Sequence, residues 1–491
     1  MLIFINHVRM IVQIEMNIIT KSKMETLLKY TLFGVLLLYS TLIYAGQTPK
    51  YIFLFIGDGM GMNHVELAQL YTEKVGTDTG EHSLLFPTFP VMTQVCTRSA
   101  SHLITCSSAA ATALATGRKT TNHVIGMDAE KKYGLKTLAR QLKDKGYKIG
   151  LITSASIDHA TPGGFYASQH DRSMYYEIGV DAANSGFNFF GGAGLLEPCS
   201  KRNPSAPSLY DLFNQKGYTM YCGMDSYSHA IAKDKIILLS TDTVSKSLKY
   251  AIDRSNKDLS LPYLTKACLN NFQETAKNGF FMMVEGGKID WAAHANDGGA
   301  VVKETIDFDQ CIRLAYEFYK KHPNETLILV TADHETGGLG LGNSNMNLNI
   351  DLLQYQKCSQ EALTTAMREM KNNEVIPSWK DMKAFLKKNL GFWEQIGITP
   401  REELDLLICY EESFLKKKSK DVVSLYAKDE PLAAAAITLL GKKASIGWTT
   451  KSHTGAPVPL YVVGKQAYLY SGRRDNTDIP NILRMVFKLS K

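Results

Sequence analysis

The sequence predicts an α/β fold: a doubly wound, largely parallel central sheet flanked by helices and interrupted by a helical insertion. Three observations predict it. Short apolar runs at 51–56, 148–153, 280–284, 326–331 and 459–463 each stop at a polar or glycine-rich turn, as parallel strands buried on both faces do. Amphipathic segments such as 135–145 lie between runs, so strand, turn and helix alternate. From about 340 to 443 the texture changes to charged helical segments, among them 378–389 and 400–408, with no comparable strand. In such a sheet ligands bind at the carboxyl ends of the strands, so the chemistry is expected just after the apolar runs.

The 491 residues are 45% apolar, 21% charged and 10% aromatic, a balance that allows a large core and excludes a disordered or fibrous chain. Lys and Arg (55) exceed Asp and Glu (48) by 7, too little to argue for a nucleic-acid partner. Eight cysteines (Cys96, Cys106, Cys199, Cys222, Cys268, Cys311, Cys358, Cys409) are scattered singly, without a CxxC pair, and leave disulfide connectivity open. From Met24 the chain reads as a secretory signal, with a lysine-bearing lead, an apolar run at 32–44 and then Ala45 and Gly46. That run is about 13 residues, short of the ~20 that span a bilayer. Residues 1–45 are therefore expected to be a leader, with Met24 as an alternative start. Residues 46–491 form the exported body, periplasmic or extracellular, with no membrane span after cleavage.

Polar residues gather after the apolar runs. The first is followed by Gly57, Asp58, Gly59, Met60 and Gly61, a carboxylate in a turn that by itself reads as ordinary. EGGKIDWAAH follows the third and supplies Glu285, Asp290 and His294; the last two, four apart, share a helix face and suit zinc. TADHETGG follows with Asp333 and His334, and His453 stands in SHTG before the last run. Four such clusters exceed coincidence, and three Asp, one Glu and three His imply more than one metal. The alanine-rich segment 105–117, TCSSAAATALATG, opens a helix whose serine caps the amino terminus and whose free amides favour an anion. After the second run come Asp158, His159, Thr161 and Arg172; an arginine grips two phosphate oxygens at once, although alone it reads as a surface residue.

In order along the chain, IGDGMG, TxSxAxATALATG, DHATP with Arg172 downstream, VEGGKID with His294, TADHETGG and HTG resemble the alkaline phosphatases, from about residue 51 to 485. The resemblance implies hydrolysis of phosphate monoesters through a phosphoserine at a site with two zinc ions and one magnesium ion per chain. It implies Ser107 as nucleophile and Arg172 as phosphate clamp. Asp290, His294 and His453 would hold the first zinc, while Asp58, Asp333 and His334 would hold the second. Asp58, Thr161 and Glu285 would hold the magnesium, with His159 nearby acting through a water. The insertion falls between His334 and His453, as a crown-like domain does in the family, and a homodimer is expected by the same analogy.

Zinc on the serine oxygen lowers the pKa of a hydroxyl that is otherwise a poor nucleophile, and a second zinc takes charge from the leaving oxygen. Three positions depart from the family pattern. Cys106 stands where an aspartate usually orients the arginine, so Arg172 is expected to be less firmly held. Ser108 replaces an alanine, but the register of ATALATG selects Ser107. Trp291 replaces a lysine or histidine that meets phosphate through water, so phosphate is expected to bind more weakly. Two rival readings are a phosphodiesterase of the same superfamily and a non-catalytic surface protein that binds metal or phosphate. A sulfatase is disfavoured, because Cys106 is followed by neither proline nor arginine in a CxPxR-like pattern.

Overall fold

Thr326–Thr331, Tyr51–Gly57, Phe280–Gly286 and Lys148–Thr153 lie side by side at the centre of a ten-stranded sheet in the computed structural model. The structure describes residues 1, 5–13, 15–16, 30–31, 48–228, 231–342, 346–416 and 419–490. Lys50–Lys491 is one compact unit. Met1–Pro49 is another, helical at 5–13, and the expected leader, its apolar run and its cleavage point fall mostly outside the described residues. No helix among the described residues is long and apolar enough to cross a membrane.

The four central strands are apolar without alternation because helices cover both faces. Tyr51–Gly57 is buried at every position after Tyr51, and Phe280–Gly286 and Thr326–Thr331 are buried throughout. Phe280 packs edge-on to Phe53 at 5.1 Å and also meets Phe272 and Phe318, both 5.6 Å away. All strand pairs of the sheet are parallel except those made by Val458–Gly464, which runs antiparallel to both Val91–Cys96 and Thr326–Thr331. This corrects the expectation of a parallel last strand. A doubly buried strand has the same composition in either direction, so its apolar run carries no sign of its polarity.

Beyond the five expected strands, Phe189–Gly191, Ile236–Leu239 and Thr219–Cys222 extend one side of the sheet, and Val91–Cys96 and Arg474–Asp475 the other. Val91–Cys96 alternates burial, and the other four have only two to four residues, too short for a periodicity signal. Within 340–443 the segment is helical as expected. Ser378 caps Trp379–Leu390 and Thr399 caps Pro400–Tyr410, each in a reciprocal capping box with Asp381 or Glu402. The helices Gln360–Asn372 and Pro431–Lys443 belong to the same segment, as does a short ribbon pairing Val422–Val423 with Lys428–Asp429.

Phe280 is fully buried in the aromatic cluster that joins the sheet to its flanking helices. Phe280→Ala is expected to cost about 3–5 kcal/mol, because the cluster cannot collapse into the space. Chemical denaturation would show this as a lowered midpoint; an unchanged one would contradict the packing.

Candidate active site

The register of the sheet gathers the site. Ile56 pairs with Glu285 on one side and Thr331 on the other, and Thr153 pairs with Glu285 across the next ladder. The four central strands thus end together, and Asp58 and Asp333, each two residues beyond, leave the sheet at one edge. His453 reaches the same edge because the strand after it is reversed, and His453–Thr454 pairs with Glu335–Thr336.

Gly59 makes the turn at Asp58 possible. Its φ is +72°, and a Cβ there would lie 2.9 Å from the Asp290 Cα, so the turn rests directly on the helix Lys288–Ala295. Its amide donates to Asp333 Oδ1 at 3.1 Å. One turn along that helix, His294 Nε2 lies 3.3 Å from Asp290 Oδ1, as the four-residue spacing predicts.

Three groups of ligand atoms lie within 4.8 Å of one another: Asp290, His294 and His453; Asp58, Asp290 and His334; Asp58, His159 and Glu285. The groups share Asp290 and Asp58, so the three places adjoin. His334 Nε2 is also 3.2 Å from Asp333 Oδ2 and 3.5 Å from Asp58 Oδ1. Thr161 is fully buried beside Glu285, and its hydroxyl has no partner within hydrogen-bond distance.

Surrounding groups fix the histidine tautomers. His294 Nδ1 donates to the Lys451 carbonyl (2.5 Å) and His453 Nδ1 to the Thr105 carbonyl (2.9 Å). A carbonyl only accepts, so in each neutral ring the lone pair sits on Nε2, which faces Asp290. His159 is arranged the other way. Arg172 Nη2 lies 3.3 Å from His159 Nε2 and can only donate, so Nδ1 carries the proton. Burial and the Arg172 charge hold this ring neutral, with its pKa down at about 3. Its Nδ1 is buried without a hydrogen-bond partner, in the group His159 forms with Asp58 and Glu285.

The residues fit bound cations. Asp58, Glu285, Asp290 and Asp333 are all fully buried. Burial, then the neighbouring carboxylates, raises Asp58 well above the carboxylate range; burial chiefly pushes Glu285 and Asp333 up to about 7. Both Asp58 oxygens, Glu285 Oε1, Asp290 Oδ2, Asp333 Oδ2, His294 Nε2 and His453 Nε2 are buried without a hydrogen-bond partner. Leaving so many polar atoms unsatisfied costs roughly 1–3 kcal/mol each, and divalent cations remove that cost and the repulsion together.

Ser107 opens the helix Ser107–Thr116, and its Oγ lies 3.2 Å from His334 Nε2. Ser108 turns away, to Cys106 Sγ at 3.1 Å. The cap of this helix is Cys106, not a serine, and no side chain caps it, so the amides of the first turn stay available to an anion. Its alanines permit close approach: a Cβ on Gly164 would lie 2.7 Å from that of Ala111. Beside the helix start is a cavity of about 870 Å³ lined by Thr105, Cys106, Arg172, His294, Tyr426, Lys451 and His453. Ser107 is fully buried just past the lining residue Cys106.

The structure thus brings Asp58, His159, Glu285, Asp290, His294, Asp333, His334 and His453 together, with Ser107 beside His334 and Arg172 beside His159. Trp291 is the outlier: it does not line this cavity, and its ring stacks on Tyr426 at 4.6 Å. Arg172, expected to be loosely held, has two side-chain partners, His159 and the Tyr426 hydroxyl at 3.2 Å. Sequence reasoning missed Tyr426, which lies 254 residues from Arg172 with no motif around it. It also missed Thr336, whose hydroxyl donates to Asp290 and lies within TADHETGG, where the motif pointed.

The model of the family described as alkaline phosphatase matches residues 49–188 and 224–489. The chain belongs to the alkaline phosphatase family. Alkaline phosphatase 4 of Bacillus subtilis is 29% identical over 452 residues, covering 90% of this chain and 89% of that one. The alkaline phosphatase of Schizosaccharomyces pombe is 25% identical, covering 90% and 82%. Among solved structures, a cold-active alkaline phosphatase from Shewanella sp. superposes with a TM-score of 0.74 at 27% identity, covering 90% of this chain and all of that one. Thermus thermophilus alkaline phosphatase shares the fold, with a TM-score of 0.75 at 24% identity over 91% and 93%. The chain is accordingly a phosphoric monoester hydrolase of a metal-dependent family.

Removing divalent cations with a chelator is expected to leave the buried carboxylates unopposed and to lower the thermal midpoint, with recovery when cations are restored. Scanning fluorimetry on metal-analysed samples checks this; equal midpoints with and without metal would contradict the fit. Gly59→Ala is expected to cost about 1–2 kcal/mol in backbone strain and to displace Asp290, reducing metal content after dialysis.

Proposed function

We propose that this chain hydrolyses phosphate monoesters through a phosphoserine on Ser107, at a centre that takes two zinc ions and one magnesium ion. The observation that carries the reading is Ser107 Oγ, 3.2 Å from His334 Nε2, at the edge of adjoining ligand groups. Asp290, His294 and His453 would hold one zinc, and Asp58, Asp333 and His334 the other. Asp58, Thr161 and Glu285 would hold magnesium, with His159 reaching it through a water. Bound zinc would supply Lewis acidity, lowering the pKa of the serine hydroxyl and taking up charge on the leaving oxygen.

The chain's own residues account for the rest. Ser107 Oγ attacks phosphorus as the bond to the alcohol oxygen breaks, giving the free alcohol and a phosphoseryl chain. Arg172 and the first-turn amides of Ser107–Thr116 hold the non-bridging oxygens as charge builds on them. Water then attacks the phosphoserine from the side the alcohol left, which releases inorganic phosphate and restores the hydroxyl. Two in-line displacements retain configuration at phosphorus. A monoester dianion suits a site built around one arginine and several cation places better than a diester monoanion does. The accompanying domain reading, a leader at 1–45, a catalytic body at 46–491 and an insertion at about 340–443, rests on sequence pattern, as does export; the crown-like character of the insertion and a homodimer rest on analogy with the family.

Ser107→Ala is expected to lower kcat on an aryl phosphate monoester at least about 1,000-fold while leaving metal content intact. Acid quenching of wild type with labelled substrate should trap phosphoserine, and the variant should trap none. A variant that kept wild-type turnover, or a wild type that bound metal and cleaved only diesters, would overturn the assignment. Arg172→Ala is expected to lower kcat/KM by about 10- to 100-fold, the worth of hydrogen bonds to a charged group.

A further inference from the structure

Arg172 has no carboxylate within ion-pair distance among the described residues; its side-chain partners are His159 Nε2 at 3.3 Å and the Tyr426 hydroxyl oxygen at 3.2 Å. Both are neutral acceptors, and both contacts are made by Nη2. They fix the plane of the guanidinium and leave Nη1 and Nε for substrate. A carboxylate partner would hold the arginine as well but would offset part of its charge. Neutral partners leave that charge to an incoming dianion.

Tyr426 is itself rigidly placed. Its ring lies 4.6 Å from that of Trp291 at an interplanar angle of 12°, and it meets His294 edge-on at 5.5 Å. The residue sits in the turn between Val422–Val423 and Lys428–Asp429, which the Ser424 amide closes by donating to the Ala427 carbonyl at 2.9 Å. Val423, Ser424 and Leu425 line the cavity with it.

We propose that Tyr426 is a positioning residue for Arg172, and that the helical segment carrying it is thereby a working part of the phosphate pocket. Trp291 acts through Tyr426: it braces the ring whose hydroxyl orients the arginine. The inference rests on Arg172 being the phosphate clamp, as proposed above, and it gives the insertion a role inside its own chain.

The test uses the full, metal-loaded chain. Tyr426→Phe removes the hydroxyl and keeps the ring on Trp291. It is expected to raise both the KM for an aryl phosphate monoester and the inhibition constant of inorganic phosphate about tenfold, as for one lost hydrogen bond to a charged group. Metal content, thermal midpoint and kcat should stay close to wild type. In an Arg172→Ala background the same change should alter neither constant, because the partner through which it acts is gone. Unchanged constants in the single variant would overturn the proposal. So would an equal rise in both backgrounds, which would mean that the hydroxyl touches substrate directly. If wild type failed to release phosphate from the monoester, the catalytic assignment would fall; if wild type were active and the cycle showed no coupling, only the role of Tyr426 would.

Discussion

Asp58, Glu285, Asp290 and Asp333 are packed without solvent into one cluster at the edge of the sheet, and much of the molecule is arranged around that concentration of charge. Burial drives each carboxyl toward its neutral form, and mutual repulsion drives them the same way, except at Asp290, which the adjacent His294, in its protonated form, holds below the usual range against its burial. A fold that keeps such a cluster needs cations to oppose it. The same cations make a phosphate dianion welcome where four carboxylates alone would repel it. Stability and chemistry therefore draw on one interaction.

The sheet supplies the precision. Because the central strands are parallel and end in register, residues far apart in the chain arrive within a few ångströms of each other without long loops. The reversed last strand is the complement of this arrangement: His453 precedes it, while the other clustered residues follow their strands. Backbone carbonyls of Lys451 and Thr105 then set which imidazole nitrogen faces Asp290, a task no motif residue performs. His159, with the opposite tautomer, joins the cation places to the arginine.

The helical segment at 340–443 reaches the cavity through the ribbon of Val422–Val423 and Lys428–Asp429. Its capped helices are built on ordinary local signals, yet the residue that matters lies in a turn of four residues between two-residue strands. Stacking on Trp291 gives that turn a fixed place, and the place puts a hydroxyl on Arg172. Arg172 is thus held by neutral partners, His159 and Tyr426.

By itself the sequence determined the fold class, the five principal strands, the helical texture of 340–443 and which polar residues gather at the strand ends. Apolar runs ending in polar turns are written locally, and the sheet's edge rule turns them into a site. Only the tertiary structure decided the direction of Val458–Gly464, the tautomers of the histidines, the partners of Arg172 and the place of Tyr426. Strand polarity leaves no mark on a strand buried on both faces, although His453 standing before its run was a clue. A hydrogen bond across 254 residues depends on packing that no local pattern encodes.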